Sequence, residues 1–145
     1  MARQIIKTAE APLPAAPISQ AVRSGGFVFV SGITPFDLDL KLVKNDFEAQ
    51  MRQTMNNLGA ILRASESGFD RVLKCTVILA RRGDWRRMNE IYGEYWKDQQ
   101  FPARTAFEAL LPHPDFLVEV ECVAEAVKSS LVNRFFRSGV RPGVR

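Results

Sequence analysis

From residue 116 to residue 126 every second side chain is apolar: Phe116, Val118, Val120, Cys122, Ala124 and Ala126. From Val118 on, Glu119, Glu121, Val123 and Glu125 stand between them. A period of two held that long specifies a strand with one dry face and one charged face, and the dry face needs a cover. Two stripes at helical spacing can supply it. Phe47, Met51, Met55, Leu58 and Leu62 form the first; Trp85, Met88, Tyr92 and Tyr95 form the second. Asn45, with Glu48 three residues on, predicts a capping-box start for the first helix, and Gly68 a C-terminal stop. Its other face, with Gln50, Arg52, Asn56, Asn57 and Arg63, is expected in water. Asp84 predicts the N-cap of the second helix.

The remaining segments read as short strands. Residues 4–7 precede a proline-rich connector over 11–17. A hairpin follows, 21–23 and 27–32, turning at Ser24-Gly25-Gly26. Residues 33–44 read as loop. Residues 72–79 form a strand with Leu73, Cys75, Val77 and Leu79 on one face and Lys74 and Thr76 on the other. Residues 103–108 form another, and 110–115, with Pro112 and Pro114, a turn. The order β-β-β-α-β-α-β-β predicts an α+β domain of two layers, a mixed six-stranded sheet with two helices on one face. The uncovered face carries Val72, Ile78 and Val123 among polar residues, which points to an oligomer interface.

A length of 145 residues allows one domain with a substantial core. We read that domain as residues 1–127 and the rest, 128–145, as a basic C-terminal extension. The extension holds five of the 20 basic residues and no acid, leaving 15 basic against 16 acidic residues before it. The positive charge therefore belongs to the tail, and a nucleic-acid-binding domain surface is not indicated. No apolar run approaches the ~20 residues of a membrane span, and the first residues lack the apolar core of a secretory signal. Cys75 and Cys122 are the only cysteines and His113 the only histidine, so no metal site is expected and a cytoplasmic setting is. Phosphate-loop, dinucleotide, zinc-hydrolase and serine-elbow motifs are absent.

An arginine and some glutamates on strands remain. Arg104 shares a strand face with Ala106 and Glu108; it is either a structural ion-pair former or an anion clamp. Glu119 and Glu121 are either a solvated sheet face or a source of general acid–base chemistry. A simple hairpin between the last two strands would put Arg104 near Glu119. Asn89 is either an exposed helix residue or a ligand-facing amide. Gly32, after Ser31, either allows a sharp exit from a strand or admits a small molecule to the backbone. His113 reads as a solvated loop residue, and the two cysteines as core filler.

Four segments carry a family resemblance: APISQAVRSGGFVFVSG (16–32), MNEIYGEYW (88–96), FPARTAFE (101–108) and VEVECVA (118–124). The chain resembles the RidA/YjgF family of reactive-intermediate deaminases, some formerly described as translation initiation inhibitors. The resemblance implies a chorismate mutase-like fold, a homotrimer, and a cleft between subunits that uses no cofactor and no metal. The implied activity is that of a 2-iminobutanoate/2-iminopropanoate deaminase-like hydrolase, turning 2-enamine or 2-imine acids into 2-keto acids and ammonia. By position Arg104 would grip the substrate carboxylate and Glu119 would activate water. Ser31, Gly32 and Asn89 would line the pocket. Familiar members have cysteine where this chain has Ala106, whose backbone N–H remains able to bind a carboxylate, and tyrosine where it has Ile18. The second change shifts the expected substrate toward a more apolar imine, or another enamine such as an aminomuconate. Two rival readings use the same features: a non-catalytic trimer that binds small carboxylates, and an RNA-binding protein acting through its tail.

Overall fold

A computed structural model describes residues 2–127; the basic extension predicted for 128–145 lies outside them. The strands are β1 (Gln4–Ile6), β2 (Ala21–Ser24), β3 (Phe27–Ile33), β4 (Val72–Leu79), β5 (Ala103–Glu108) and β6 (Val118–Glu125). The helices are α1 (Phe47–Ala64) and α2 (Trp85–Gly93). The architecture is the expected α+β one. One mixed six-stranded sheet runs in the order β1-β2-β3-β6-β4-β5. Only β4 and β5 are parallel, and both helices cover one face. Gly25 and Gly26 turn the β2–β3 hairpin at φ 62° and 84°, a conformation that costs glycine little.

The core lies between that face and the helices. The alternating side chains of β6 are buried against Met51, Met55, Leu58 and Leu62 of α1 and Met88 of α2. Cys75 and Cys122 stand opposite each other across β4 and β6. The neighbouring Cys75 thiol and burial together push the Cys122 thiol up. An exposed network, Glu48 with Arg52 and Arg87, and Arg52 with Glu94, ties α1 to α2.

Several local expectations are corrected. Asp46, not Asn45, caps α1, its carboxylate accepting the Ala49 N–H at 3.0 Å. The helix ends in a Schellman turn whose left-handed residue is Glu66 (φ 56°), with Ser67 N bonded to Leu62 O, so Gly68 is not its stop. Asp84 makes no cap bond, because a 3-10 turn over Arg82–Asp84 already leads into α2; its carboxylate pairs with Arg81. A bulge between Val72 and Lys74 turns Val72 inward and Leu73 outward. In α2, Ile91 is buried, with Trp96 just beyond it, while Trp85 is 44% exposed. His113 is half-buried and stacks on Phe116.

Gln50 and Asn57, expected in water, are buried. The Gln50 amide donates to Val43 O (2.6 Å) and Asp115 O (2.8 Å) and accepts from Leu117 N (2.8 Å), tying two distant loops to α1. Removing it strands the buried Leu117 N–H, at about 1–3 kcal/mol, and two part-buried carbonyls. Gln50→Ala is therefore expected to lower Tm by on the order of 10 °C, read by thermal denaturation. A shift under 2 °C would show those loops finding other partners.

Candidate active site

The predicted site residues fall into two groups. The first is built on a break in the β3–β6 ladder. Val30 pairs with Cys122 and Ile33 with Val120, so Ser31 and Gly32 stand against Glu121 alone. This bulge turns β3 toward the connector that precedes β2. Ser31 locks the approach: its N–H donates to Gln20 O (3.1 Å) and its hydroxyl to Ser19 O (2.6 Å). Gln20, buried, holds the connector from within. Its amide donates to the carbonyls of Thr8, Ala11 and Pro12 and accepts the Thr8 N–H at 2.7 Å. Asn57 does the same for the next loop, donating to Thr34 O and Phe36 O.

The result is a cavity of about 440 Å³ with Ile18, Ser31, Gly32 and Glu119 in its wall. Gly32 leaves room for the Glu119 carboxylate there: a Cβ at that position would overlap it and make it shift. Burial, and then the negative charge of Glu121, pushes the Glu119 carboxyl above the ordinary carboxylate range. Glu121 itself is exposed and does not line the cavity.

The second group surrounds Arg104. Its Nη2 donates to Asn89 Oδ1 at 2.8 Å and its Nη1 approaches Met88 Sδ at 3.5 Å. The guanidinium lies 4.7 Å from the Tyr92 ring and 5.4 Å from the Trp85 ring. Burial pushes the Tyr92 hydroxyl well up, so the ring under the cation stays neutral. Two aromatic faces and an amide hold the fork without neutralising it. Among the described residues Arg104 forms no ion pair. Ala106 lies two residues along the same strand face, packed on the core.

The expected hairpin that would join Arg104 to Glu119 is not formed. β5 is an edge strand parallel to β4, and β6 lies on the other side of β4. Arg104 is opposite Cys75, on the helix side of the sheet, whereas Glu119 is opposite Ile78, on the side away from the helices. Within one chain the two charged groups therefore belong to opposite faces. Trp85, Gln20 and Asn57 escaped the sequence reading. An aromatic in an amphipathic stripe reads as core, and buried amides read as surface until their backbone partners are placed.

Among the described residues no cluster of His, Cys, Asp and Glu could hold a metal ion, and no helix is long and apolar enough to cross a membrane. Residues 8–126 match the family model described as endoribonuclease L-PSP. A RutC family protein of Synechocystis is 37% identical over 126 residues, 86% of this chain and 97% of that one. The human 2-iminobutanoate/2-iminopropanoate deaminase is 37% identical over 123 residues, 84% of this chain and 89% of that one. The crystal structure of a Rid family protein of unknown function from Yersinia pestis superposes with a TM-score of 0.82 at 35% identity, covering 86% of this chain and all of that one.

Proposed function

We propose that this chain, which belongs to the endoribonuclease L-PSP (RidA/YjgF) family, hydrolyses 2-imino acids and their enamine tautomers to 2-keto acids and ammonia, in a cleft completed by a second copy. The observation that carries this reading is Arg104, held by Asn89, Tyr92 and Trp85 with no carboxylate partner among the described residues. A guanidinium with N–H groups to spare is a ready receptor for a small carboxylate. The name of the human relative supports the same reaction.

The chemistry asks little more. Water adds to the imine carbon, forming the C–O bond, while the Glu119 carboxylate takes a proton. The same carboxyl passes that proton to the nitrogen, giving a carbinolamine. It then takes the hydroxyl proton and hands it to the amino group as the C=O bond forms and the C–N bond breaks. Ammonia so leaves with both water protons, and a 2-keto acid remains. A carboxyl whose proton affinity is raised by burial suits both halves of this shuttle. The face of the sheet away from the helices carries Ile5, Val22, Phe29, Ile78, Phe107 and Val123. We assign that face to contacts between copies in a homotrimer, which also lets Arg104 of one copy meet Glu119 of the next.

The test is release of ammonia and keto acid from enzymatically generated imines, with the mass of the assembly measured alongside. No acceleration by the wild type removes the enzyme reading, and keto-acid binding without turnover would leave a carboxylate binder. The acid limb of the kcat/KM profile is expected above the ordinary carboxylate range, because Glu119 must be deprotonated to accept the proton from water. Glu121→Gln removes one of the two causes of its raised affinity, so that limb should move to lower pH. An unmoved limb would assign it to another group.

A further inference from the structure

The cavity beside Glu119 is larger and drier than the reacting atoms need. Its 440 Å³ far exceed what a methyl or ethyl side chain occupies. Leu13, Ile18, Phe36, Leu40, Ile61 and Phe116 are among the apolar side chains of its wall. The amides of Gln20 and Asn57 and the hydroxyl of Ser31 are spent on backbone carbonyls, which leaves the Glu119 carboxyl as the one ionisable group in the wall. At the opening Leu13, Ile18 and Leu40 are 45%, 56% and 51% exposed. Three exposed aliphatic side chains around one apolar cavity mark a surface meant to be covered.

We propose that the preferred substrate is a 2-imino acid with a bulky apolar side chain, branched or aromatic, lodged in this cavity while its C2 stands beside Glu119. This inference rests on the deaminase reading. The side chain displaces water from the walls of Ile18, Phe36 and Phe116, and the Arg104 fork fixes the opposite end of the molecule. The occupant is the substrate and not a peptide, since the one ionisable group in the wall, Glu119, is a proton carrier.

The experiment compares imines generated in situ by an amino-acid oxidase from alanine, 2-aminobutyrate, norvaline, leucine and phenylalanine. Burial of apolar surface predicts kcat/KM rising about fourfold per added methylene, so the leucine imine should exceed the alanine imine by at least tenfold. Ile18→Ser should cut the leucine-to-alanine ratio severalfold, whatever it does to each rate. Affinities for the corresponding 2-keto acids, measured by calorimetry, should tighten along the same series. A flat or falling series on an active protein overturns the inference and leaves the deaminase reading standing. Turnover of no imine, with keto-acid affinities still graded by side chain, overturns the deaminase reading and leaves the pocket preference standing. A structure of the assembly with a neighbour's side chains filling the cavity overturns the preference as well.

Discussion

Arg104→Ala is expected to lower kcat/KM for 2-imino acids by on the order of 10²-fold or more, with little change in Tm. The loss reflects charge-assisted hydrogen bonds to the substrate, each worth about 1.5–3 kcal/mol. Stability should hold because among the described residues the side chain closes no ion pair, and it gives the fold an amide contact, a thioether contact and two ring contacts. Arg104→Lys keeps the charge and loses the planar fork, so an intermediate loss is expected. The variant has a second use. Arg104 and Glu119 belong to opposite faces of one sheet, so a site needing both draws them from two copies. Co-expression of Arg104→Ala and Glu119→Gln chains, each inactive alone, should restore about a quarter of the wild-type rate, the share of random pairings that unite the intact partners. No recovery in purified mixed assemblies would put both groups in one chain's site and remove the two-copy cleft.

Glu119→Gln is expected to lower kcat by about 10²–10⁴-fold, the usual range for a general base, while Tm at neutral pH rises. The rise follows from linkage. The folded state binds the Glu119 proton more tightly than the unfolded chain does. That contribution to stability is full below the unfolded value and is lost as pH rises through the folded one. At pH 7 the wild type therefore carries a half-buried charge that glutamine lacks. Gly32→Ala should reproduce the rate loss by another route, pushing the carboxyl aside instead of removing it. A fall in Tm for Glu119→Gln, with activity preserved, would make the carboxylate a structural group.

What could be read from the chain alone was whatever depends on neighbours in sequence. β5 falls on the expected 103–108, and the α1 stripe is buried as its spacing requires. Misplacements began where the deciding partner is distant. Gln50 is buried because Val43, Asp115 and Leu117 need it, and two of those lie more than sixty residues away. The cap moved by one residue because Asn45 and Asp46 are both good capping types and the chain's turn into the helix decided between them. Trp85 fits the α2 stripe yet leans over Arg104, a cation that periodicity cannot place beside it. The relation of Arg104 to Glu119 was least legible, since it is set by strand order and not by spacing.

That strand order also governs how the molecule can be born. β6, late in the chain, is the wedge between β3 and β4; before it arrives, β1–β2–β3 and β4–β5 are two unjoined ribbons. A nascent chain leaving the ribosome must therefore wait, its apolar surfaces unmet, until residue 125 has emerged. Premature termination inside β6 would release two orphan halves with open edges, the form of this protein most prone to clump.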